Sequence, residues 1–215
     1  MKVRCLIPVL LVLVGCSEPM PRNWDSLIQE GDREVFADPE TMTLYSGPVF
    51  RLDADDSTRV VFRAVLRNGE PHGPFTDYEP KAVEVSLGIY QEGEYRDGRR
   101  EGPFTYFYPS GIIRGEGSYR SGLEDGPYTS WHENGQLRSE WAYSNGKLDG
   151  PLEDYYENGQ LRAKTTFVDG EPDGPSEGYY ENGQLRAKGS LSNGEPCGEW
   201  FDEGETVTLD PCPSN

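Results

Sequence analysis

Short runs that alternate aromatic or aliphatic residues with polar ones are interrupted at regular intervals by glycine-containing turns. The decamer YYENGQLRAK stands at 155–164 and again, letter for letter, at 179–188. Asn-Gly between two alternating runs is the strongest short-range signal for a β-hairpin. A second turn signal, DGEPDG at 169–174, places Gly and Pro before the next run. The pattern predicts an all-β chain of hairpins.

These hairpins follow one another with a period of 24 residues. The Gly-Pro dipeptide that opens each unit stands at Gly102–Pro103, Gly126–Pro127, Gly150–Pro151 and Gly174–Pro175. A related unit of 29 residues starts at 73, the segment 45–51 is a divergent first member, and 193–201 opens a unit that does not finish. A ladder with atypical ends is typical of repeat proteins. We therefore predict a meander of antiparallel β-hairpin repeats over residues 44–204, in a single twisted sheet that forms an open, solenoid-like array.

The predicted register makes Asn158–Gly159 a two-residue loop, so that Tyr156 faces Leu161. One face then packs the side chains of Leu161, Ala163, Thr165 and Phe167 with those of Tyr156 and Leu152. The other face carries an Arg over an aromatic ring in each unit: Arg114 on Phe107, Arg138 on Trp131, Arg162 on Tyr155 and Arg186 on Tyr179. These pairs have two interpretations: they hold a one-layer sheet together, or they offer stacking surfaces to a peptide or a glycan.

The N-terminus predicts a signal peptide over residues 1–15. Lys2 and Arg4 precede an apolar stretch, Leu6–Val14, that is too short to span a bilayer. The stretch ends in Leu-Val-Gly-Cys, which resembles the lipobox of bacterial lipoproteins, and this resemblance implies that Cys16 is acylated.

A lipid on Cys16 places the protein in the cell envelope. Ser17 follows the cysteine where an Asp would favour retention at the inner membrane, so a Gram-negative cell would carry the protein on its outer membrane, facing the periplasm. Residues 16–43 are then expected to be the lipidated N-terminus, a tether and a cap on the first repeat.

The chain is strongly acidic, and this charge restricts the classes of partner that it can bind. Its formal net charge of −18 becomes −20 after cleavage before Cys16, because the removed segment carries Lys2, Arg4 and no acid. Phosphate groups are bound by clustered Lys and Arg, so the charge argues against nucleic acid and against anionic headgroups. We expect a protein partner, no nucleic acid, and a membrane contact only through the lipid anchor.

Two cysteines remain once the N-terminal ones are assigned to the signal peptide and the anchor. Cys197 and Cys212 would lie in a compartment that permits disulfides. They form either a structural disulfide in a C-terminal cap, residues 205–215, or a reactive thiol pair.

The catalytic inventory is small. His72 occupies a turn position that holds acids in other units, and His132 replaces the tyrosine of its repeat position. Neither is joined by a nucleophile or by further metal ligands. We therefore expect no catalytic residue, no metal, no cofactor and no enzymatic activity.

The unit GPxxxYYENGQLRAKGSxxNGEP resembles the variant MORN repeat of bacterial proteins described as YwqK-type antitoxins, over roughly residues 45–204. The resemblance implies hairpin repeats and a protein partner such as a toxin. Together with the lipobox, it predicts a non-catalytic envelope lipoprotein that acts as a protein-interaction module, either a scaffold or an antitoxin- or immunity-like antagonist. The alternative is a glycan-binding or structural envelope module that uses the Arg–aromatic face.

Overall fold

The structure is a computed structural model that describes residues 21–29, 36–37, 42–53, 57, 60–78 and 89–213. The predicted signal peptide, 1–15, and the predicted lipidation site, Cys16, lie outside these residues. Within them the chain consists of β-strands and turns, with one 3-10 turn at Trp24–Ser26. No helix in the described ranges is long and apolar enough to cross a bilayer.

The described chain contains strands of two to nine residues. They are β1 Arg22–Asn23, β2 Ile28–Gln29, β3 Phe36–Ala37, β4 Gly47–Leu52, β5 Val60–Arg67, β6 Glu70–Pro71, β7 Gly73–Tyr78, β8 Ile89–Arg96, β9 Arg99–Arg100, β10 Gly102–Phe107, β11 Ile113–Arg120, β12 Leu123–Glu124, β13 Gly126–Trp131, β14 Leu137–Ser144, β15 Lys147–Leu148, β16 Gly150–Tyr155, β17 Leu161–Val168, β18 Glu171–Tyr179, β19 Leu185–Ser192, β20 Glu195–Asp202 and β21 Glu205–Thr208.

From β4 to β21 each long strand pairs antiparallel with the next, and the two-residue strands β6, β9, β12 and β15 pair with the strand that precedes them. At the first edge β1 adds to β4 in parallel, with Arg22 opposite Val49. The small pair β2–β3 is separate. One open sheet of hairpins results, which confirms the predicted fold class.

The two turns of each unit differ in conformation. At Asn145–Gly146 both residues have positive φ, 51° and 81°, which is the type I′ geometry of a two-residue hairpin loop. At the Asn-Gly of the decamer only Gly159 has a positive φ, 82°. There the Asn158 side chain accepts a hydrogen bond from the Gln160 amide at 2.9 Å. The predicted two-residue loop at Asn158–Gly159 is therefore wrong: the loop is longer.

A β-bulge accompanies this longer loop. Tyr155 faces Leu161, and Asp154 faces Ala163, so Arg162 is the extra residue. The predicted pairing of Tyr156 with Leu161 is wrong for this reason. Beyond the bulge, Leu152 faces Thr165, so the predicted side is correct for Leu152, Ala163, Thr165 and Phe167. It is wrong for Leu161, which lies opposite Tyr155 on the other side of the sheet. The same register shift recurs after Tyr106, Ser130 and Gly178.

One side of the sheet, which we call the packed face, carries large rings over mid-strand glycines. Phe104 faces Gly117 across the strands. A Cβ at Gly117 would lie 2.8 Å from both Phe104 Cζ and Tyr128 Cδ2, and one at Gly189 would lie 2.0 Å from Trp200 Cε3. Only glycine leaves room for rings this close to the backbone. The other side, which we call the acidic face, carries a cross-strand row in which Thr105, Thr129 and Lys164 stand between acids: Glu92, Glu116, Glu140, Glu153 and Glu177.

The fully buried core lies at the N-terminal end of the array. It contains Leu27, Phe36, Tyr45, Val49, Ala64, Leu66 and Phe75. Trp24 packs edge-on against Phe36 and Phe62, with ring centroids 4.5 and 5.6 Å apart. Asn23 caps the 3-10 turn by accepting the Asp25 amide. This segment covers the edge of β4, which would otherwise be free to pair with another chain.

At the other end, Cys197 and Cys212 form a disulfide with Cα atoms 4.9 Å apart. The Leu209 amide donates to the Gly198 carbonyl at 2.7 Å. The unit that opens at 193–201 does finish, contrary to the sequence interpretation, because β21 closes a short hairpin with β20. The expected cap, 205–215, thus begins with a strand of the array.

Candidate functional site

A column of aromatic side chains joins each repeat to the next. The Tyr108 hydroxyl donates to the Trp131 carbonyl at 2.8 Å, and the Tyr156 hydroxyl donates to the Tyr179 carbonyl at 2.7 Å. In the unit between them the His132 Nε2 lies 2.9 Å from the Tyr155 carbonyl oxygen. Because that oxygen can only accept, Nε2 carries the proton. His132 therefore replaces the Tyr hydroxyl as a donor, consistent with a structural role.

The turns add a second connection between units. The Asn134 side-chain amide donates to the Glu157 carbonyl at 3.0 Å, and Asn158 donates in the same way to Glu181. The Gln160 side-chain oxygen lies so close to Gly183 that a Cβ there would be 2.8 Å from it. Much of the repeated decamer therefore serves repeat-to-repeat contact.

The arginine of the decamer forms a column on the packed face. Arg114 lies over the rings of Tyr90 and Tyr106, with 5.6 and 5.4 Å from Cζ to the ring centroids. Arg162 donates to Asp154 at 2.7 Å. In both units the partner stands eight residues before the arginine.

The predicted pairing of these arginines with the preceding aromatic is wrong. Arg114 lies over Tyr106 and not Phe107, and Arg162 contacts Asp154 and not Tyr155. Arg138 and Arg186 have no cation–π contact with a described ring. The bulge is the cause: it inserts the arginine as an extra residue, so its side chain lies on the face opposite the aromatic at 107, 131, 155 or 179.

The four aromatic residues lie on the acidic face instead, next to its row of acids. The Tyr155 hydroxyl donates to Glu153 at 2.6 Å, and the Tyr179 hydroxyl donates to Glu177 at 2.5 Å. The hydrogen bond to Glu153 raises the pKa of Tyr155 to about 12. Hydrogen bonds, first from Lys164 and then from Tyr155, hold the pKa of Glu153 below its usual value. Phe107 and Trp131 have no hydroxyl to donate. The residue two positions before each of them is a threonine, Thr105 or Thr129, and not a glutamate.

A polar groove of about 560 Å³ opens on the packed face where the arginine and aromatic columns run side by side. Its walls combine rings, acids and two arginines: Tyr108, His132, Glu133, Arg138, Asp154, Tyr155, Tyr156, Glu157 and Arg162. Of the predicted binding residues, the groove thus brings together the side chains of Arg138 and Arg162. Tyr155 borders it at its main-chain carbonyl, which lies against His132, while its ring is on the acidic face. The groove adds Asp154 and His132, which sequence reasoning did not place in a binding surface.

The groove's side chains differ in how fully they are engaged. Asp154 accepts hydrogen bonds from Arg162 and from the buried hydroxyl of Ser139. Arg138 is exposed and forms no ion pair with any described residue. A fixed acid beside an unpaired guanidinium suits recognition of a polar ligand. Among the described residues, no group of three or more His, Cys, Asp or Glu is placed to hold a metal ion.

Comparison with known proteins identifies the repeat. The family model described as "MORN repeat variant" matches four successive segments, 100–121, 124–145, 148–169 and 172–193. No curated protein matches the chain. A crystal structure of the GtfA/B complex bound to UDP and GlcNAc aligns with a TM-score of 0.22 and 16% identity, over 59% of this chain and 25% of that one. The chain thus spans about a quarter of that protein's length. Between residues 100 and 193 the chain thus matches four consecutive MORN repeats of the variant type.

Proposed function

We propose that the protein is a non-catalytic interaction module of the cell envelope, held there by a lipid on Cys16, and that the polar groove binds a protein partner. MORN repeats suggest protein interaction or membrane association in general. The proposal is carried by one observation: at the junction of two repeats, the groove presents the unpaired guanidinium of Arg138 beside ordered rings.

The groove is preorganised for binding. Tyr108, His132 and Tyr156 each bond to a main-chain carbonyl of the following repeat, and Asp154 is fixed by two donors. Side chains already held in place lose little conformational freedom when a ligand binds, which favours affinity. Arg138 is the exception, and an exposed arginine is well suited to pairing with a partner's carboxylate.

The sequence and the charge support the envelope location and the kind of partner. The lipobox-like Leu-Val-Gly-Cys motif supports acylation of Cys16, and acylation would place the array outside the cytoplasm. A net charge of −18 attracts basic proteins and repels nucleic acid. Within this location the protein would act as a scaffold or as an antitoxin- or immunity-like antagonist of a toxin.

The test is affinity purification of the tagged full-length chain from solubilised envelope, with quantitative mass spectrometry. We expect one protein in near-stoichiometric amount, lost with Arg138→Gln and retained with Arg186→Gln, the same repeat position outside the groove. Equal recovery with Arg138→Gln would overturn the assignment of the groove. In parallel, Cys16→Ala should release the protein from the membrane fraction, and persistent membrane association would contradict the anchor.

A glycan-binding or structural envelope role is the second candidate. It is favoured by the combination of Tyr108 and Tyr156 with Arg138 and Asp154 in one open groove, because rings flanked by charged hydrogen-bonding groups also suit sugars. Retention of the purified chain on isolated cell-wall polysaccharide, abolished by Arg138→Gln, would replace the protein-partner proposal with this one.

A further inference from the structure

The acidic face has an apolar patch on its first two matched repeats. Ile112 and Ile113 are 41% and 39% exposed. Together with Trp131, Glu116 and Gly135 they surround an open cavity of about 320 Å³. We call these residues the Trp131 patch. It lies on the opposite side of the sheet from the polar groove.

Two acids at the Trp131 patch have no cationic partner within the part of the chain that the structure describes. Glu116 lies between Thr105 and Thr129 on the neighbouring strands, and Glu140 lies between Thr129 and Glu153. Neither Glu116 nor Glu140 forms an ion pair with a described Lys or Arg.

In the later repeats, the position of Glu116 and Glu140 holds a lysine, Lys164 or Lys188, which pairs with an acid on the neighbouring strand. Lys164 pairs with Glu153 at 2.6 Å, and Lys188 pairs with Glu177 at 2.9 Å. In the half of the acidic face that the later repeats form, the carboxylates are therefore paired with lysines of the same sheet. The other half combines exposed apolar surface with unpaired negative charge.

We propose that the Trp131 patch binds an extended protein segment in which an apolar side chain is flanked by Lys or Arg residues. The apolar side chain fills the cavity against Trp131, since a buried anchor in a pocket supplies most of the affinity of such interfaces. The cations pair with Glu116 and Glu140, which provide charge complementarity and orient the segment.

The spacing of the two acids sets the spacing of the cations. Glu116 and Glu140 lie in one cross-strand row with Thr129 between them, so they are about two strand spacings apart, roughly 9.5 Å. A segment in the polyproline II conformation rises about 3.1 Å per residue with three residues per turn. Its residues i and i+3 are thus about 9.3 Å apart on one side, which matches the two acids. The partner segment has its basic residues three positions apart.

This site is independent of the proposed groove. The Trp131 patch and Arg138 project from opposite faces, so a variant at one leaves the other intact. Failure of the groove experiment would leave this inference standing, and the reverse also holds.

The experiment is selection of displayed random peptides on the purified full-length chain, followed by affinity measurements with the best synthetic peptide. We expect enriched sequences with Lys or Arg at i and i+3 around an aromatic or aliphatic residue. Glu116→Gln combined with Glu140→Gln should weaken binding about tenfold, as should Ile113→Ser. The controls are Leu185→Ser, at the same repeat position and also 39% exposed, and the exposed pair Glu171→Gln with Glu195→Gln. They should change affinity less than about twofold.

Two kinds of result would overturn the proposal. Enrichment of acidic or unbiased sequences, or no peptide above background, overturns the proposal. Equal losses in the control variants overturn it as well, because they would show that net charge or general stability governs binding. Circular dichroism of each variant verifies that the fold is retained.

Discussion

Asp154 links two neighbouring strands to the arginine column: one carboxylate oxygen accepts from Arg162 at 2.7 Å, and the other accepts from the hydroxyl of Ser139. Ser139 is 5% exposed, so the loss of its acceptor leaves a buried polar group unsatisfied. The Arg162 side chain is about half exposed, at 53%, so its ion pair is screened by water.

The first prediction compares how much the contacts of Asp154 with Ser139 and with Arg162 contribute to the free energy of unfolding. Asp154→Ala should lower the free energy of unfolding by about 1–3 kcal/mol, because the Ser139 hydroxyl loses its bond. Arg162→Gln should cost less than about 1 kcal/mol, as for other exposed pairs. Asp154→Asn is the control, since it keeps an acceptor for Ser139. Urea denaturation measures all three, and equal losses for Asp154→Ala and Asp154→Asn would contradict the assigned role of Ser139.

A second prediction concerns the rings of the packed face. Gly117→Ala would place a Cβ 2.8 Å from Phe104 Cζ and from Tyr128 Cδ2. Both rings must shift, and overpacking of this kind costs about 1–3 kcal/mol. Gly135→Ala is a useful comparison: its φ of 82° is unfavourable, but nothing lies within 4 Å of the added methyl group. Thermal unfolding should show a loss in both, and only Gly117→Ala should perturb the resonances of the Phe104 and Tyr128 rings.

The positions of the strands and turns were predictable because Asn-Gly and Gly-Pro mark the turns. The pairing of Glu153 with Lys164 follows from the positions of the two strands on either side of the turn. The bulge at Arg162 was not predictable, because Asn-Gly suits both a two-residue loop and a longer loop in which only Gly159 has positive φ. A shift of one residue moves a side chain to the other face. This one residue explains why the arginine column was expected beside Tyr155 and lies beside Asp154.

The candidate site was only partly predictable for a related reason. The sequence shows that Arg138 and Arg162 recur at one repeat position, but the groove depends on which neighbours share their face. Mid-strand glycines were an unused signal. Gly117 and Gly189 mark positions where a ring approaches the backbone, and they would have located the packed face without knowledge of the loop.

A third prediction follows from the Tyr155–Glu153 hydrogen bond. The pKa of Tyr155 is raised from 10.0 to about 12, so the folded state holds this proton more tightly than the unfolded chain does. The stability that results is fully present below pH 10 and is lost as the pH rises to about 12. The stability difference between the wild type and Tyr155→Phe should therefore fall across this range. A difference that stays constant up to pH 12 would rule out the bond.

The fourth prediction concerns how the stability of the fold depends on pH in acid, through Glu153. Hydrogen bonds from Lys164 and Tyr155 lower the pKa of this carboxyl. A lowered carboxyl pKa stabilises the fold at neutral pH, and this contribution disappears as the pH falls through the folded-state value. Glu153→Gln should therefore reduce the slope of stability against pH in the acid range. An unchanged slope in Glu153→Gln would contradict the role of these two hydrogen bonds.

The last prediction concerns the C-terminal end, where strand β21 has an unpaired outer edge within the described chain. The Cys197–Cys212 disulfide joins residues 15 positions apart, and a loop of that size contributes about 3 kcal/mol in the chain-entropy model. Replacing both cysteines by Ala should lower the free energy of unfolding by about that amount. Hydrogen exchange at the Leu209 and Gly198 amides, which bond across the cross-linked tail, should accelerate more than exchange in the central repeats, because repeat arrays lose order first at unsupported ends. Uniform acceleration along the array would show instead that the disulfide supports the whole sheet as one cooperative unit.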